Sequence, residues 1–472
     1  MRGKLFIASL FSLLYIVNFV ITTSQEISNN KNKKEQNKPH IVIILADDLG
    51  WNDVSFHGSD QIPTPNIDAL AYNGIILNNH YALPLCTPSR SSLLTGKHPI
   101  HLGMQHDHLK GANYKTHIVG KWHLGYYKRE YTPMYRGFDT HFGYYNGLQD
   151  YYNHIVIDPI IKSDPPVQGF DMRRNLSVAW DTMGKYSTDL FTEEAVRLIN
   201  AHDTNNPMFL YLAHLAPHSG NQNDLLQAPA EEIAKFSYIK DPARRTYAAM
   251  VSKLDNGIGE VIKALQDRKM LKNSIVLFMS DNGAPTEGLF QNYGSNYPLR
   301  GVMAAIWSPL IKKRARVSNQ LISIADWLPT LLSAAGINNI NISEIDGRNM
   351  WPALMSDRLN PRREILINID DISNYSAIRH GNFKYISCDL IRSPCLFDIK
   401  NDPSASLEMT LLQYRYNMVP PSNVKPDPRA NPIYWNNTWT YWQDSHALTF
   451  KLKLLLVLLI LLLLLYLLFS CF

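Results

Sequence analysis

The chain has 472 residues, of which 45% are hydrophobic and 18% charged, an ordinary balance for a globular protein with a sizeable core. Its length favours one large domain with a smaller partner and excludes a single small domain. The formal net charge of +5 is small, and no basic stripe with interleaved aromatic residues is present, so we expect no nucleic-acid binding.

The first 37 residues predict a secretory signal followed by a solvated linker. Arg2 and Lys4 precede an apolar run from Leu5 to Val20, and small residues follow it. This order is typical of a signal peptide that is removed from the mature chain, here residues 1–24. Residues 25–37 are rich in Asn, Lys and Gln and predict a polar linker. We therefore expect the protein to enter the secretory pathway and to reside in the lysosome or at the cell surface.

Four apolar runs end at residues that can ligate or catalyse. Continuous apolar runs of about four to eight residues predict strands covered on both faces, as in a parallel sheet. Helical patterns lie between them, at 189–201 and 245–269. Open α/β sheets bind ligands beyond the carboxyl ends of their strands, so these runs should deliver their side chains to one edge. The runs are Ile41–Leu45 before Asp47 and Asp48, Thr116–Val119 before Lys121 and His123, Met208–Leu212 before His214 and His218, and Ile275–Met279 before Asp281 and Asn282.

The pattern as a whole predicts an α/β fold, with a large mixed, mainly parallel sheet flanked by helices over residues 38–336. Residues 337–440 contain shorter strand-like pieces at 364–368 and 382–387 and predict a small α+β domain. A spacer, 441–453, then leads to a hydrophobic tail, 454–472.

The tail is almost entirely leucine from 454 to 469 and predicts a membrane-attachment signal. The run is short for a bilayer span, which needs about 20 residues. Lys451 and Lys453 precede it, the reverse of a positive-inside stop-transfer segment. A cleaved GPI signal, with Ser445 or Ala447 as the attachment site, therefore fits better than a retained membrane anchor, which stays open.

The cysteines and glycosylation motifs agree with an oxidising compartment. Cys388 and Cys395 are close in sequence and could close a small loop, whereas Cys471 lies in the tail. Cys86 is left without a partner, which calls for a chemical explanation. Four Asn-x-Ser/Thr sequons are compatible with passage through the ER, at Asn175, Asn341, Asn374 and Asn436.

Two residue pairs at two strand ends supply only oxygen ligands. A pair such as Asp47–Asp48 after a strand is more often a helix cap or a loop feature. The second pair, Asp281–Asn282, should reach the same edge, and together they favour a metal site. Carboxylate and amide oxygens predict a hard cation, Ca²⁺ or alternatively Mg²⁺.

The segment Cys86-Thr-Pro-Ser-Arg90, continued by Leu-Thr-Gly96, matches the Cys-x-Pro-x-Arg signature of sulfatases. The chain resembles a type I sulfatase of the alkaline phosphatase superfamily over roughly residues 38–403, closest to the arylsulfatase B (N-acetylgalactosamine-4-sulfatase) branch. Other segments that carry the resemblance are 46–53, 64–70, Gly120-Lys-Trp-His-Leu-Gly125, 136–140, Asp281-Asn-Gly283 and Asp326-Trp-Leu-Pro-Thr330.

The resemblance implies that a formylglycine-generating enzyme of the ER oxidises Cys86 to formylglycine, whose hydrated aldehyde attacks the ester sulfur. Residue 86 should begin a helix whose N-terminal dipole favours an anion. The metal would be held by residue 86 with the two oxygen pairs, Asp47, Asp48, Asp281 and Asn282.

The resemblance also assigns roles to four further residues. Arg90, one turn along the helix, would hold the aldehyde hydrate and the metal site in place. Lys121 would contact nucleophile and sulfate oxygens, and His123 would be the base, on the same face if the strand continues. His218 would face the sulfate and the leaving oxygen, and His214 is its structural competitor. The other histidines, including the cluster His101, His106 and His108, lack the surrounding ligands of a metal site, and most of them are expected at the surface.

These features predict a sulfuric ester hydrolase acting on sulfated small molecules or glycans such as glycosaminoglycans. A phosphodiesterase or phosphatase of the same superfamily is disfavoured, because those enzymes use Thr or Ser as the nucleophile and commonly two metals. A catalytically impaired sulfatase fold that binds sulfated glycans or a partner protein stays open.

Two segments are shorter than the family pattern. The stretch from Leu109 to Thr116 lacks a loop and a helix, which should uncover apolar surface on the sheet. After Gly301 the chain lacks a lysine that contacts sulfate on the leaving-group side, and Lys312 and Lys313 follow the next strand. We therefore expect low activity or low stability compared with close relatives.

Overall fold

A computed structural model describes residues 38–101, 109–158, 165–288, 290–297, 302–337, 345–357, 360–370, 375–387, 395–398 and 427–443. The predicted signal peptide, linker and hydrophobic tail lie outside these ranges. Cys388 also lies outside them, so its disulfide with Cys395 stays a prediction. None of the helices in the described ranges is long and apolar enough to cross a membrane.

Ten strands form one mixed sheet, in the order β13-β2-β12-β11-β1-β10-β4-β5-β8-β9. Its central strands β11, β1, β10, β4 and β5 run parallel, and β12 is antiparallel to β11. The predicted fold class is confirmed. The strands of this sheet are β1 His40–Ala46, β2 Ile75–Leu77, β4 Lys115–Lys121, β5 Thr140–Tyr144, β8 Arg173–Arg174, β9 Ser177–Val178, β10 Met208–Ala213, β11 Ser274–Ser280, β12 Ala304–Trp307 and β13 Arg316–Ser318.

Smaller sheets make up the rest of the β structure. A four-stranded antiparallel sheet, β15-β16-β17-β18, contains both strand-like pieces predicted after residue 337, whose domain boundary stays a prediction. Two two-stranded sheets pair β3 with β14 and β6 with β7. Their strands are β3 His80–Tyr81, β6 Ile155–Ile157, β7 Gln168–Phe170, β14 Ile322–Ser323, β15 Glu364–Asp370, β16 Tyr375–His380, β17 Phe383–Ser387 and β18 Cys395–Asp398.

Helices cover both faces of the large sheet because its central strands are apolar on both sides. Val42, Ile44 and Ala46 of β1 belong to one buried cluster, and Ile41, Ile43 and Leu45 belong to the other. This is what a continuous apolar run predicts for a strand enclosed on both faces. The helices are α1 Pro65–Asn73, α2 Cys86–Thr95, α3 Ser187–Ala201, α4 Ala230–Ala234, α5 Pro242–Asp267, α6 Trp327–Ala334 and α7 Trp351–Ser356.

A glycine is required just before the end of β4. Gly120 has a φ of +100°, and a Cβ atom there would lie 1.9 Å from the carbonyl oxygen of Ala213 on β10. Only glycine fits that approach between neighbouring strands. The close spacing of the two strands sets the position of Lys121, the last residue of β4.

The segment 427–443 packs on β7, in the two-stranded β6–β7 sheet. Phe170 donates its backbone N–H to the carbonyl of Asn437 over 2.8 Å, and Trp439 donates to the carbonyl of Phe170 over 3.2 Å. Gln443 donates to the carbonyl of Tyr127 over 3.0 Å. Main-chain hydrogen bonds therefore attach this segment to residues that lie far from it in sequence.

Candidate active site

The four predicted strands are neighbours and bring their terminal residues to one edge. β11, β1, β10 and β4 lie side by side in parallel, so their carboxyl ends coincide. The backbone N–H of Asp47 reaches the carbonyl of Ala216, and that of Asp281 reaches the carbonyl of Ala46. The structure therefore confirms that the four strands deliver their terminal residues to one edge, and the roles of those residues in a site stay predictions.

Cys86 begins α2, as predicted, and its Sγ lies 3.8 Å from Oδ1 of Asp48. Buried Ser89 fixes the start of the helix: its Oγ accepts from the N–H of Leu83 over 2.9 Å and donates to the same residue's carbonyl over 3.2 Å. The first turn of α2 thus presents residue 86 to the carboxylates.

Two buried cations hold the carboxylates together. Arg90 donates Nε to Oδ2 of Asp281 over 2.8 Å and places Nη2 3.2 Å from Oδ1 of Asp47. Lys121 donates Nζ to both oxygens of Asp47, over 2.9 and 2.7 Å. These four side chains are completely buried. Lys121 therefore lies behind Asp47 and does not line the cleft.

Burial and charge shift the pKa values within this cluster. Burial alone would raise the pKa of Asp47, but the nearby charges of Lys121 and Arg90 outweigh it and hold the pKa below its usual range. Burial, with the charge of Asp47, raises the pKa of Asp281. Burial also raises the pKa of the Cys86 thiol well above its usual value, so the unmodified side chain is a neutral thiol.

The residues present fit a divalent cation. Oδ1 of Asn282 is buried without a hydrogen-bond partner, while its amide nitrogen contacts Asp48. Ligand atoms of Asp47, Asp48, Cys86 and His218 all lie within 4.8 Å of one another. Three buried carboxylates, those of Asp47, Asp48 and Asp281, face only two buried cations, Arg90 and Lys121. An oxygen-rich, net negative cluster with an unsatisfied amide oxygen suits Ca²⁺ or Mg²⁺.

Two histidines, in the loops that follow β4 and β10, lie beside these groups. His218 places Nε2 3.3 Å from Oδ2 of Asp48, and its other ring nitrogen lies 2.6 Å from the carbonyl of Ser219. The ring of His123 packs on Gly147, where a Cβ atom would lie 2.6 Å from it. Lys121 and His123 would share a face only if the strand continued, and it does not: β4 ends at Lys121 and His123 has a φ of +54°. A turn, and not strand alternation, therefore aims His123 into the site.

A cleft of about 1300 Å³ opens in front of these groups. The predicted catalytic and metal-binding residues that line this cleft are Cys86, His123, His218 and Asn282. Sequence reasoning missed the other walls, which come from distant parts of the chain. A signal was present, since Trp435, Trp439 and Trp442 concentrate three of the nine tryptophans in eight residues. The other wall residues include Tyr126, Asn146, Val156, Asp158, Glu287 and Trp439.

Other predicted residues lie away from the cleft. His214 is buried beside Phe191, with ring centroids 6.3 Å apart, which agrees with a structural role. His101 is partly exposed and contacts Asp346, whereas His106 and His108 lie outside the described residues. β12 runs antiparallel to β11, so the exposed Lys312 and Lys313, which follow it, lie toward the edge opposite to Asp281.

Comparison with known proteins defines the family. The sulfatase family model matches residues 39–337. Arylsulfatase J of Mus musculus is 40% identical over 378 residues, covering 73% of this chain and 60% of that protein. N-acetylgalactosamine-6-sulfatase of Homo sapiens is 31% identical over 376 residues, covering 69% of this chain and 67% of that protein. The chain therefore belongs to the sulfatase family.

Solved structures agree with this assignment. The crystal structure of Ps i-CgsB has a TM-score of 0.67 and 29% identity, over 87% of this chain and 96% of that chain. PsFucS1 sulfatase from Pseudoalteromonas sp., at 23% identity and a TM-score of 0.62 over 81% of this chain and 86% of that chain, shares the fold. These comparisons support a type I, alkaline phosphatase-like sulfatase, but they do not clearly place the chain in the arylsulfatase B branch.

Proposed function

We propose that this chain hydrolyses sulfate esters, giving an alcohol and inorganic sulfate from the ester and water. The observation that carries the proposal is the position of Cys86. It begins α2 at the floor of the cleft and faces Asp48 within a buried carboxylate cluster. The proposal includes conversion of Cys86 to formylglycine by a formylglycine-generating enzyme of the ER.

The groups acquired by the site would supply two kinds of chemistry. Formylglycine, as a hydrated aldehyde, supplies two hydroxyls on one carbon, one as a nucleophile and one that allows sulfate to leave. A Ca²⁺ or Mg²⁺ ion held by Asp47, Asp48, Asp281 and Asn282 with residue 86 supplies positive charge for sulfate oxygens.

The chain's own residues orient and transfer protons. Burial, with the positive charges of Lys121 and Arg90, holds the pKa of His123 well below its usual value, so its imidazole is neutral and can accept a proton. His218 lines the cleft, where it can face the sulfate and the leaving oxygen. Arg90 fixes the carboxylates, and Lys121 supplies positive charge directly behind Asp47.

The proposed substrates are sulfated carbohydrates, with glycosaminoglycans among them. The relative named N-acetylgalactosamine-6-sulfatase supports a sugar sulfate, as does a structure of Ps i-CgsB in complex with k-i-k-neocarrahexaose, 27% identical to this chain. Membership of the arylsulfatase B branch remains a proposal. We also propose a secretory route to the lysosome or cell surface, with a GPI or membrane anchor formed from the tail.

The test uses the full chain produced together with a formylglycine-generating enzyme. Aryl sulfate should be hydrolysed and aryl phosphate should not, and peptides that span position 86 should contain an aldehyde that reacts with hydrazides. Cys86→Ala should abolish turnover and leave the thermal midpoint nearly unchanged. An unmodified thiol in protein from competent cells, with no turnover, would refute the catalytic proposal.

A second candidate function is binding without turnover. Among the described residues that line the cleft there is no lysine or arginine, and Lys312 and Lys313 lie toward the opposite edge of the sheet. Losing one charged contact to the reacting group can lower the rate by about 10²–10³-fold. A modified but inactive protein that still binds a sulfated glycan would favour this candidate.

A further inference from the structure

One wall of the cleft is apolar and joins two distant parts of the chain. Trp439, from the segment 427–443, packs in a buried cluster with Val156 and Val167, and Tyr126 packs against it. Three of these residues, Tyr126, Val156 and Trp439, line the same cleft as Cys86. We call these three residues the aromatic wall.

The side chains of the aromatic wall are held in fixed positions. Trp439 donates Nε1 to the carbonyl of Val156 over 3.3 Å, so its indole is pinned to the β6–β7 hairpin. Tyr126 donates its hydroxyl to Oδ1 of Asn146 over 2.9 Å, and its ring stacks on that of Tyr145 with centroids 5.5 Å apart. Pre-positioned aromatic surface of this kind binds ligands with little loss of side-chain entropy.

The polar groups beside this wall are acidic or neutral. Asp158 and Glu287 line the cleft, and no lysine or arginine does so within the described part of the chain. Hydroxyl groups can donate to these carboxylates, whereas a second anionic group on the ligand would be repelled. Among the proposed sulfated carbohydrates, the walls therefore suit a ligand with one apolar face, hydroxyl edges and no charge beyond the sulfate at position 86. They disfavour glycosaminoglycans that carry a second charge beside it.

We propose that the aromatic wall of Tyr126, Val156 and Trp439 binds the uncharged ring of a monosulfated saccharide and so determines which sulfate ester is accepted. The inference rests on the proposed function and deepens it by assigning the part of the substrate that leaves as the alcohol. Sugar rings carry an apolar C–H face bordered by hydroxyls, which matches an aromatic wall next to carboxylates.

The test measures binding separately from turnover. In full-length Cys86→Ala protein with Ca²⁺, calorimetry would give the Kd of a disaccharide monosulfated on its non-reducing ring and the Kd of inorganic sulfate, which fills only the sulfate position. Adding Trp439→Ala should raise the disaccharide Kd by about tenfold, the upper range for one aromatic contact. The Kd of sulfate should change by less than about twofold, since that contact is not touched.

Two further variants distinguish loss of the contact between the aromatic wall and the ligand from loosening of the segment 427–443. Trp442 lies in the same segment but does not line the cleft, and it packs under Arg429 at 5.0 Å and beside Tyr127 at 6.3 Å. Trp442→Ala should therefore leave the disaccharide Kd unchanged. Trp439→Phe keeps a ring in the wall and should fall between wild type and Trp439→Ala.

The outcomes distinguish the wall from the reaction. The proposed role of the aromatic wall is refuted if Trp439→Ala and Trp442→Ala lose disaccharide binding equally. It is also refuted if neither variant loses binding. Tighter binding of a disaccharide with a second sulfate on its other ring also overturns it. Protein that turns over no sulfate ester but binds the disaccharide through Trp439 refutes the proposed function and keeps the wall. Turnover of aryl sulfate without disaccharide binding does the reverse.

Discussion

Arg90 is the side chain on which the charge balance of the site depends. It contacts Asp47 and Asp281 together, and all three side chains are fully buried. Arg90→Met would leave two buried carboxylates short of one cation, which typically costs about 3–5 kcal/mol. We expect a clear fall in the free energy of unfolding, measured by urea denaturation.

The control for that variant is an exposed arginine in a similar pair. Arg197 contacts Glu194 over 2.7 Å but is 61% exposed. Arg197→Met should change the urea midpoint little, because water screens exposed pairs. Equal midpoints for the two variants would contradict the role assigned to Arg90.

Local sequence patterns identify some of the candidate site residues and not others. Asp47, Asp48, Cys86 and Asp281 lie at strand ends or in a short motif, so local sequence was sufficient. Trp439 could not be placed in that way, because its position depends on hydrogen bonds to β6 and β7, more than 260 residues earlier. The segment that contains Trp439 has no recognisable motif and packs on residues far away in sequence. Its only signal in the sequence is therefore its high tryptophan content.

The first turn of α2 supports residue 86 through one serine. Ser89 makes two hydrogen bonds to the backbone of Leu83. Ser89→Ala removes both and leaves buried backbone groups unpaired, at a cost of about 1–3 kcal/mol each. Ser92, on the same helix, is buried and its hydroxyl has no partner. Ser92→Ala should therefore leave the thermal midpoint unchanged or raise it. A larger fall of the thermal midpoint in Ser92→Ala than in Ser89→Ala would refute this account.

The main strands and helices were predictable because their apolar patterns are long. β1, β4, β10 and β11 each contain the predicted run with one to three more residues. α3 and α5 likewise begin two or three residues before the predicted starts. The turn after β4 was not predictable from local sequence. His123 has a positive φ there, and its ring packs against Gly147, which is 24 residues further along the chain.

The expectation that most of the other histidines lie at the surface is wrong for the described residues, because many of them are buried and neutral. This burial predicts sensitivity to acid. Burial is the largest cause that lowers each pKa, so the unfolded chain binds more protons below pH about 6.5. Stability should therefore fall as the pH decreases from about 6.5 toward 4, by up to about 1.4 kcal/mol per pH unit for each histidine. The pKa values are lowered to about 4 for His40, His57, His98, His117 and His154, and to about 3 for His80, His141 and His214.

His80 allows a direct test of this acid sensitivity. Its Nε2 accepts a hydrogen bond from the indole of Trp327 over 2.9 Å, which requires a neutral ring. His80→Gln keeps an acceptor and removes the titration, so the loss of thermal midpoint between pH 7 and 4.5 should shrink. Exposed His380→Gln should leave the loss unchanged. An unaltered pH profile in His80→Gln would contradict the prediction.

The two segments predicted to be shorter than the family pattern also predict a property of the whole molecule. β4 keeps its place in the sheet, and α2 and α6 help to cover the face beside Leu109. A mostly apolar cavity of about 40 Å³ remains there, lined by residues that include Ile43, Phe138 and Phe209. Inserting the corresponding segments of arylsulfatase J after residue 109 and after Gly301 should raise soluble yield and aryl sulfate turnover together. Equal turnover by the unmodified chain would show that the gaps are harmless.

The attachment of segment 427–443 through main-chain hydrogen bonds has a consequence for how the protein can evolve. Such bonds place no demand on the exposed side chains of the segment, so substitutions outside the buried Trp439 and Trp442 can accumulate while it stays docked on β7. The carboxylates and Cys86, by contrast, are each fixed by particular partners. A new preference for the alcohol part of a substrate could therefore arise from mutations in segment 427–443, without a simultaneous change in the groups that would cleave the ester.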